Sequence, residues 1–325
     1  MRIGIITPAP PRSTHGNRVT ALRWTRILKS LGHRVTISRE YEGERHDLVL
    51  ALHARRSYSA IQRFKKEHPK SPVIVALTGT DLYRDLRQDK LARKSLDIAT
   101  RIVVLQPKAL EELKPKWRGK TRVIYQSVEL APRDFKKANF DVCVIGHLRT
   151  VKDPFRAAMA ARLLPPSSRI RILHLGQAMT PAMEKRARAE ALRNTRYRWL
   201  REQSRTRTLK LLAQSQLCVI SSRLEGGANV MSEAIVASVP VLASRVAGNV
   251  GILGKDYPGL FQVGNSQQLA RLLRRAECDA KFLAQLKSHI KKLTPLFDPV
   301  NEKKAWADLI SEWVSKPHAR DGPSQ

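Results

Sequence analysis

Two glutamates and two glycines stand out in the segment SSRLEGGANVMSEAIVASVPVLAS. Glu225 follows an apolar run and precedes Gly226 and Gly227, and Glu233 lies eight positions further on. Glycines let backbone amides approach a ligand closely, and a helix start near Asn229 favours a bound anion. A carboxylate can accept hydrogen bonds from two neighbouring hydroxyls, which suits Glu233 to a ribose diol. The simpler alternative is an ordinary strand–loop–helix connection with solvated glutamates.

A second candidate is the loop after the first apolar run, in RIGIITPAPPRSTHGNRV. Three prolines restrict the backbone between the apolar run and the glycine, because each proline ring fixes φ. Gly16, Asn17 and Arg18 then open a helix, which predicts backbone amides facing a ligand. The dinucleotide fingerprint G-x-G-x-x-G is absent from this loop, which argues against a nicotinamide or flavin site. The alternative is an irregular proline-rich turn.

The first half of the chain alternates continuous apolar runs with amphipathic segments, which predicts a parallel sheet covered on both faces. In the first predicted helix, Ala21, Trp24, Leu28 and Leu31 form one apolar stripe, and Gly32 stands at the C-cap position. The predicted strands are 2–7, 34–37, 47–53, 73–78, 101–106 and 122–126.

The alternating pattern restarts near Phe140, so the fold class is α/β with two doubly wound Rossmann-like domains facing across a cleft. Asp298 and Pro299 are suited to cap and open a final helix that returns to the first domain. Further strands are predicted at 140–147, 169–176, 216–222 and 240–244, with helices near 154–163, 181–194, 204–214, 229–238, 266–276 and 279–293. The predicted divisions are a first domain over 1–135, a second over 136–298, a helix over 299–318 and a disordered tail over 319–325, with 129–140 as the linker.

The composition limits the classes of function. There are 60 basic and 28 acidic side chains, a net charge of +32, in a chain of 325 residues. Basic surfaces bind nucleic acid or anionic membranes, but the charge is spread along the chain and no RNA-binding signature or zinc finger is present. We therefore do not expect nucleic-acid binding, and a weak contact with an anionic membrane stays open. No membrane-spanning run or signal-peptide pattern is present, and no obligate protein partner can be read from the sequence.

The cysteines indicate the compartment. Cys143, Cys218 and Cys278 are odd in number and lack zinc-site spacing. Cys143 and Cys218 lie in apolar runs, which favours buried thiols in a reducing cytoplasm.

The motifs together resemble the two-domain B-type glycosyltransferases that use nucleotide-activated sugars without a metal. The resemblance is carried by Glu225, Gly226 and Glu233 before an apolar helix, followed by SVPVLAS. It implies that Glu233 binds the ribose of a sugar nucleotide and that Glu225 contacts the sugar ring. It also implies that amides around Gly227, Ala228 and Asn229 meet sugar hydroxyls and diphosphate.

A second family element is a Gly-Arg-Leu with a lysine several residues on, which reads GHLRTVKDP in this chain. Lys152 falls at the expected place, whereas His147 replaces the usual arginine and Arg149 is shifted by two. The resemblance implies that Arg149 and Lys152 stabilise the diphosphate leaving group. The chain has no Asp-x-Asp, so no cofactor or metal is expected, and cations and a helix dipole would take its place. The alternative is two solvated basic residues.

In these relatives the first loop faces the donor phosphates and the transferred sugar, which places Gly16, Asn17 and Arg18 there. The acceptor side departs from the family pattern, because LTGTDLY has Thr78 where a histidine is common. The acceptor-side candidates are therefore His53, Thr78, Thr80 and Asp81.

These departures, with PAPP…HGNRVTALRW, VIGHLRTVKDP and ASRVAGNVGILGKDYPG, resemble the selenosugar synthases of selenoneine biosynthesis. The resemblance implies transfer of a sugar from UDP-N-acetylglucosamine or UDP-glucose to selenophosphate, giving a 1-selenosugar. A selenium anion needs no general base, so Thr78 in place of histidine is tolerable. Arg18 and Arg55 are the candidate arginines for binding this acceptor.

Two alternatives remain from the sequence. One is an ordinary glycosyltransferase acting on a lipid, a polysaccharide or a small alcohol. The other is a non-catalytic protein that binds anions or nucleic acid on the same scaffold, against which the retention of Glu225, Glu233 and Lys152 argues.

Overall fold

The computed structural model describes residues 1–129 and 139–314. Within these ranges twelve strands form two six-stranded sheets in which every strand pair is parallel. The first sheet holds β1 Arg2–Ile6, β2 Arg34–Ser38, β3 Leu48–Leu52, β4 Val73–Leu77, β5 Arg101–Val104 and β6 Thr121–Val123. The second holds β7 Phe140–Ile145, β8 Ile170–Leu175, β9 Tyr197–Trp199, β10 Leu217–Ile220, β11 Val241–Ser244 and β12 Leu260–Phe261.

Helices cover the faces of the two sheets. Those of the first half are α1 Gly16–Ser30, α2 Tyr58–Glu67, α3 Leu86–Gln88, α4 Lys90–Ile98 and α5 Pro115–Arg118. Those of the second half are α6 Arg156–Ala161, α7 Pro181–Arg193, α8 Arg205–Ala213, α9 Asn229–Val236, α10 Ala247–Leu253, α11 Ser266–Cys278, α12 Ala280–Leu293 and α13 Pro299–Val314. A π-helical turn spans Asp81–Asp85, and 3₁₀ turns span Pro107–Glu112, Thr150–Lys152 and Thr294–Phe297.

The strand orders are β2-β1-β3-β4-β5-β6 and β12-β11-β10-β7-β8-β9. The order reverses between β1 and β3 in one sheet and between β10 and β7 in the other. Each reversal leaves a crevice at the carboxyl ends of the strands, where ligands of such sheets bind. The predicted pair of doubly wound domains is confirmed. The predicted boundary at 135/136 and the tail at 319–325 lie outside the described residues.

The last helix returns to the first domain, as predicted. Trp306 of α13 packs edge-on against Trp24 of α1, with ring centroids 4.9 Å apart. The buried carboxylate of Glu302 accepts hydrogen bonds from Trp24 Nε1 at 2.8 Å and from the amide of Ser127 at 2.8 Å. Burial raises the pKa of Glu302, although Arg23 nearby opposes the shift. Glu302 therefore joins α1, α13 and the strand exit that leads to the second domain.

A buried histidine supports the loop after β7. His174 Nδ1 lies 2.9 Å from the hydroxyl of Tyr197, and its Nε2 lies 3.2 Å from the carbonyl of Gly146. Nε2 must donate to that carbonyl, so Nδ1 accepts from the tyrosine. Complete burial lowers the pKa of His174 to about 4, so the imidazole is neutral in the folded protein near neutral pH.

We expect acid to destabilise the second domain through His174. Between pH 6.5 and 4 the unfolded chain binds a proton that the folded chain excludes, so the free energy of unfolding falls as pH falls through this window. Denaturant unfolding of wild type and His174→Gln measures the effect. The variant should be less stable at pH 7.5 but should lose less stability between pH 6.5 and 4. Parallel pH curves for the two proteins would contradict this role.

Candidate active site

The carboxyl ends of the two sheets face each other across a cleft that holds two adjoining cavities. The first-lobe cavity, about 440 Å³, is lined by loops that include His53, Thr78 and Arg84. The second-lobe cavity, about 380 Å³, is lined by loops that include His147 and Glu233. Five residues line both cavities: Gly16, Arg149, Lys152, Ala228 and Asn229. A further cavity of about 790 Å³ between α1 and α8 includes neither Lys152 nor Glu225 nor Glu233, so we assign it no chemistry.

Two helix N-termini meet where the cavities join. α1 begins at Gly16 and α9 begins at Asn229, and a Cβ built on Gly16 would lie 3.9 Å from Asn229 Nδ2. The first amides of a helix have no partner within the helix and carry partial positive charge. Neither first turn contains an acidic residue. This junction therefore favours an anion.

Lys152 and Glu225 form an ion pair over the crevice between β7 and β10. Lys152 ends the 3₁₀ turn that follows β7, and Glu225 lies on the loop that follows β10. Ser222 Oγ donates to the same carboxylate oxygen at 2.5 Å, and the side chain of Glu225 is only 8% exposed. A buried carboxylate held by two donors has one orientation. A ligand anion in the cleft would compete with Glu225 for the lysine ammonium.

Glu233 lies one turn into α9, is almost fully buried and pairs with a cation. Arg205 Nη1, from the first turn of α8, lies 2.8 Å from Glu233 Oε1. Both residues line the second-lobe cavity. The guanidinium orients the carboxylate toward that cavity, where hydroxyl groups of a ligand can donate to it. The sequence does not predict this role for Arg205, because the residue stands at the start of a helix and belongs to no motif.

A hydrogen-bonded chain crosses between the lobes beside the second-lobe cavity. His147 Nδ1 accepts from the amide of Gln177 at 3.2 Å, so its Nε2 donates to Thr14 Oγ1 at 3.1 Å. Thr14 then donates to Glu202 Oε1 at 2.5 Å. Burial, with His15 and Arg149 nearby, lowers the pKa of His147, which keeps the imidazole in the neutral form that this chain requires.

Glycine permits the lobes to touch at the first-lobe cavity. A Cβ built on Gly226 would lie 2.6 Å from the carbonyl oxygen of Thr78 and 2.7 Å from the amide nitrogen of Gly79. A second bridge joins Arg23 Nη2 of α1 to Asn229 Oδ1 of α9 at 2.8 Å. The structure is therefore a state in which the second-lobe loop seats directly on the first lobe.

We expect Gly226→Ala to lower kcat about 10- to 100-fold, because the methyl group holds the lobes apart and misplaces the reacting groups. Nucleotide affinity should fall less than kcat, because Glu233, Arg149 and Lys152 stay together on the second lobe and only the start of α1 moves away. Steady-state kinetics and nucleotide titration separate the two effects. Gly119→Ala is the matched control, since a Cβ at Gly119 meets nothing within 4 Å. Wild-type kcat in Gly226→Ala would show that this contact is not needed.

The predicted acceptor-side residues have different environments. Asp81 is fully buried, and its carboxylate accepts from the amides of Ala54, Thr78 and Gly79 at 2.9–3.3 Å. It organises the loop and is not open to a ligand. His53, Thr78 and Thr80 line the first-lobe cavity. His53 has a left-handed backbone with φ of 76°, which costs free energy in a residue other than glycine.

The arginines that line the first-lobe cavity are not the two predicted from the sequence to receive the acceptor. Arg55 turns to Asp89, with Nε 2.8 Å from Oδ2, whereas its neighbour Arg56 lines the first-lobe cavity with Arg84. Arg18 is not among the residues that line either cavity. Asn17 and Gly227 line the first-lobe cavity, and a Cβ built on Gly227 would lie 2.7 Å from Leu105 Cβ. In a chain with 60 basic side chains, no sequence signal distinguishes Arg56 and Arg84 from the others.

In residues 1–129 and 139–314 no helix is both long and apolar enough to span a membrane.

Comparison with solved structures shows the same two-lobed fold. Anabaena HepE, in a structure titled as a complex with UDP-glucose, matches with a TM-score of 0.74 at 17% identity over 96% of this chain and 100% of that one. Sucrose-phosphate synthase from Thermosynechococcus elongatus matches with a TM-score of 0.77 at 15% identity over 96% and 98%.

Sequence comparison gives the family. A curated relative, glycosyltransferase 1 domain-containing protein 1 of Xenopus tropicalis, is 23% identical over 324 residues, 91% of this chain and 92% of the relative. Residues 129–293, just over half of the chain, match the family model of the glycosyl transferases group 1. The chain therefore belongs to the group 1 glycosyl transferases, with the B-type fold of two facing Rossmann-like domains.

Proposed function

We propose that this protein transfers a hexose from a UDP-sugar, UDP-N-acetylglucosamine or UDP-glucose, to selenophosphate. One observation carries the donor half: Arg149, Lys152, Glu233 and two helix N-termini converge on one interlobe cleft. These groups complement a ribose joined to a diphosphate. The HepE structures titled as complexes with UDP and with UDP-glucose support this choice of donor.

In the proposed donor complex the diphosphate lies at the junction of the two cavities. The amides at the starts of α1 and α9 face it, and Arg149 and Lys152 take the charge that develops as UDP leaves. Glu233 accepts from the ribose hydroxyls, and Glu225 lies toward the hexose. The amides of Gly227, Ala228 and Asn229 are placed to meet the hexose and the phosphates. No metal or other cofactor is needed in this scheme, because Arg149 and Lys152 supply the positive charge that stabilises the leaving diphosphate.

The acceptor half supports a nucleophile that needs no base. Among the described residues that line the first-lobe cavity, Glu225 is the one carboxylate, and it is paired with Lys152. Two histidines also line it. His53 accepts from the amide of Arg56 through Nδ1, so its Nε2 already carries the proton, and His15 packs edge-on against His147. Thr78 cannot act as a base near neutral pH. An alcohol acceptor gains from a base, whereas a selenium anion is already ionised. The resemblance of the opening loop and of GHLRTVKDP to selenosugar synthases points the same way.

The proposed reaction forms one bond and breaks one at the anomeric carbon. Selenium attacks C1 of the hexose, the C1–oxygen bond to the β-phosphate breaks, and UDP leaves with the electron pair. Hydrolysis of the selenium–phosphorus bond by water then gives the 1-selenosugar and phosphate. The cytoplasm is the proposed location, since Cys218 is buried, as thiols in reducing compartments often are.

The test is a direct assay of the purified protein with each UDP-sugar and selenophosphate, followed by mass spectrometry. We expect a hexose with the selenium isotope pattern and one UDP released per hexose. Thiophosphate and a small alcohol are the alternative acceptors. Transfer to the alcohol with none to selenophosphate or thiophosphate would replace this proposal with an ordinary glycosyltransferase. Salt-dependent DNA binding without UDP release would favour a non-catalytic protein.

A further inference from the structure

Two arginines of the first lobe face the first-lobe cavity from separate loops. Arg56 follows β3, and Arg84 lies in the π-helical turn Asp81–Asp85 after β4. Both are absent from the lining of the second-lobe cavity, where the nucleotide is proposed to bind. Arg149 approaches from the other lobe, and its pKa is lowered by burial and by the nearby charge of Arg56. Like charges converging on one cavity indicate a place for an anion.

A buried carboxylate orients Arg84. Asp85 is 4% exposed, and its Oδ1 accepts from Arg84 Nε at 2.9 Å. Because Nε is engaged, the two terminal nitrogens of the guanidinium remain available to the cavity. These two nitrogens form the edge that binds phosphate oxygens in pairs.

The same carboxylate lies against the histidine that holds the Arg56 loop. Asp85 Oδ2 is 3.8 Å from His53 Nε2, and Thr80 Oγ1 lies 3.3 Å from the same nitrogen. The other ring nitrogen, Nδ1, accepts from the backbone amide of Arg56 at 3.4 Å. The left-handed backbone of His53 is therefore part of an arrangement that turns the Arg56 loop toward the cavity. Asp85 and His53 are positioning residues for the two arginines.

We propose that Arg56 and Arg84 clamp the phosphate group of a small tetrahedral dianion, and so select the acceptor by its oxyanion rather than by its nucleophilic atom. The proposal rests on the proposed function in one respect: the second-lobe cavity must hold the nucleotide. It specifies phosphate-class acceptors, including thiophosphate, and excludes neutral sugars, lipids and alcohols. The donor phosphates are served separately, by Arg149, Lys152 and the helix N-termini.

The experiment measures binding of inorganic phosphate and thiophosphate to the protein saturated with UDP, so that the nucleotide site is already filled. Calorimetry should show one site in wild type. Arg56→Ala and Arg84→Ala should each weaken it about tenfold or more, the effect of one lost charge-assisted hydrogen-bond pair. Arg56→Lys should recover part of the affinity, because charge returns without the planar fork.

Two neighbouring arginines are matched controls. Arg55 binds Asp89 and Arg87 binds Glu112, and their removal should leave phosphate affinity unchanged. UDP affinity, measured without phosphate, should stay at the wild-type value in Arg56→Ala and Arg84→Ala. The clamp is overturned if UDP-saturated wild type binds neither anion, or if Arg55→Ala weakens phosphate as much as Arg56→Ala. Because binding is measured without turnover, loss of phosphate binding in Arg56→Ala supports the clamp even if no selenium is transferred. If wild type does not bind UDP, the proposed function itself is wrong.

Discussion

Lys152→Ala is expected to lower kcat for UDP release about 10²- to 10³-fold, the usual effect of removing one group that stabilises developing charge. The ammonium is paired with Glu225 and lines both cavities of the cleft. Its loss removes charge from the departing diphosphate and takes the ion-pair partner from Glu225, whose carboxylate still accepts from Ser222 Oγ. Steady-state kinetics with a UDP-sugar and the acceptor give kcat and KM separately.

Thr78→Ala is the matched comparison, because it alters the same cleft without removing charge. It should keep most of the wild-type activity, since Thr78 is assigned no proton transfer. Near-wild-type turnover in Lys152→Ala would remove the leaving-group role. A large loss in Thr78→Ala would instead indicate that the acceptor needs help at this position.

Glu233→Gln is expected to weaken UDP binding about 10- to 100-fold, since hydrogen bonds to a charged group contribute about 1.5–3 kcal/mol. The amide keeps the size of the side chain but weakens the acceptor that the ribose hydroxyls would use. It also loses the charge that holds Arg205 at 2.8 Å. Calorimetric titration with UDP measures the loss.

A UDP analogue without the 2′- and 3′-hydroxyls separates ribose binding from a general disturbance of α9. Wild type should bind the analogue as weakly as Glu233→Gln binds UDP, and the variant should lose little more with the analogue. Arg205→Ala should show a smaller loss, because Arg205 orients the carboxylate without touching the ribose. If Glu233→Gln loses the same factor for UDP and for the analogue, the carboxylate does not bind the ribose.

Ten of the twelve strands in the described ranges follow from continuous apolar runs. The two missed strands, β9 and β12, have three and two residues and lie at the edges of the second sheet. So short a segment has no periodicity of its own, and its pairing is decided by the neighbouring strand. Helix α10 was also missed, because Gly248 and Gly251 lower its helix propensity.

Residues of the candidate site that lie within motifs were identified from the sequence, and those outside motifs were not. Lys152, Glu225 and Glu233 belong to spaced patterns that resemble a family, and the structure brings them to one cleft. Arg56 and Arg84 are two arginines among many. They line the same cavity because β3 and β4 are neighbouring parallel strands whose carboxyl ends lie side by side. Lys152 pairs with Glu225, and Glu233 pairs with Arg205. The partners of each pair are far apart in the sequence, so no local pattern predicts that they meet.

The central claim is that one interlobe cleft grips the diphosphate of a UDP-sugar. The most direct measurement is a crystal structure of the protein with UDP. We expect the diphosphate between the starts of α1 and α9, within reach of Arg149 and Lys152, and the ribose hydroxyls within hydrogen-bond distance of Glu233. UDP bound elsewhere on the chain, or bound in the cleft with Glu233 still occupied by Arg205 alone, would contradict the account.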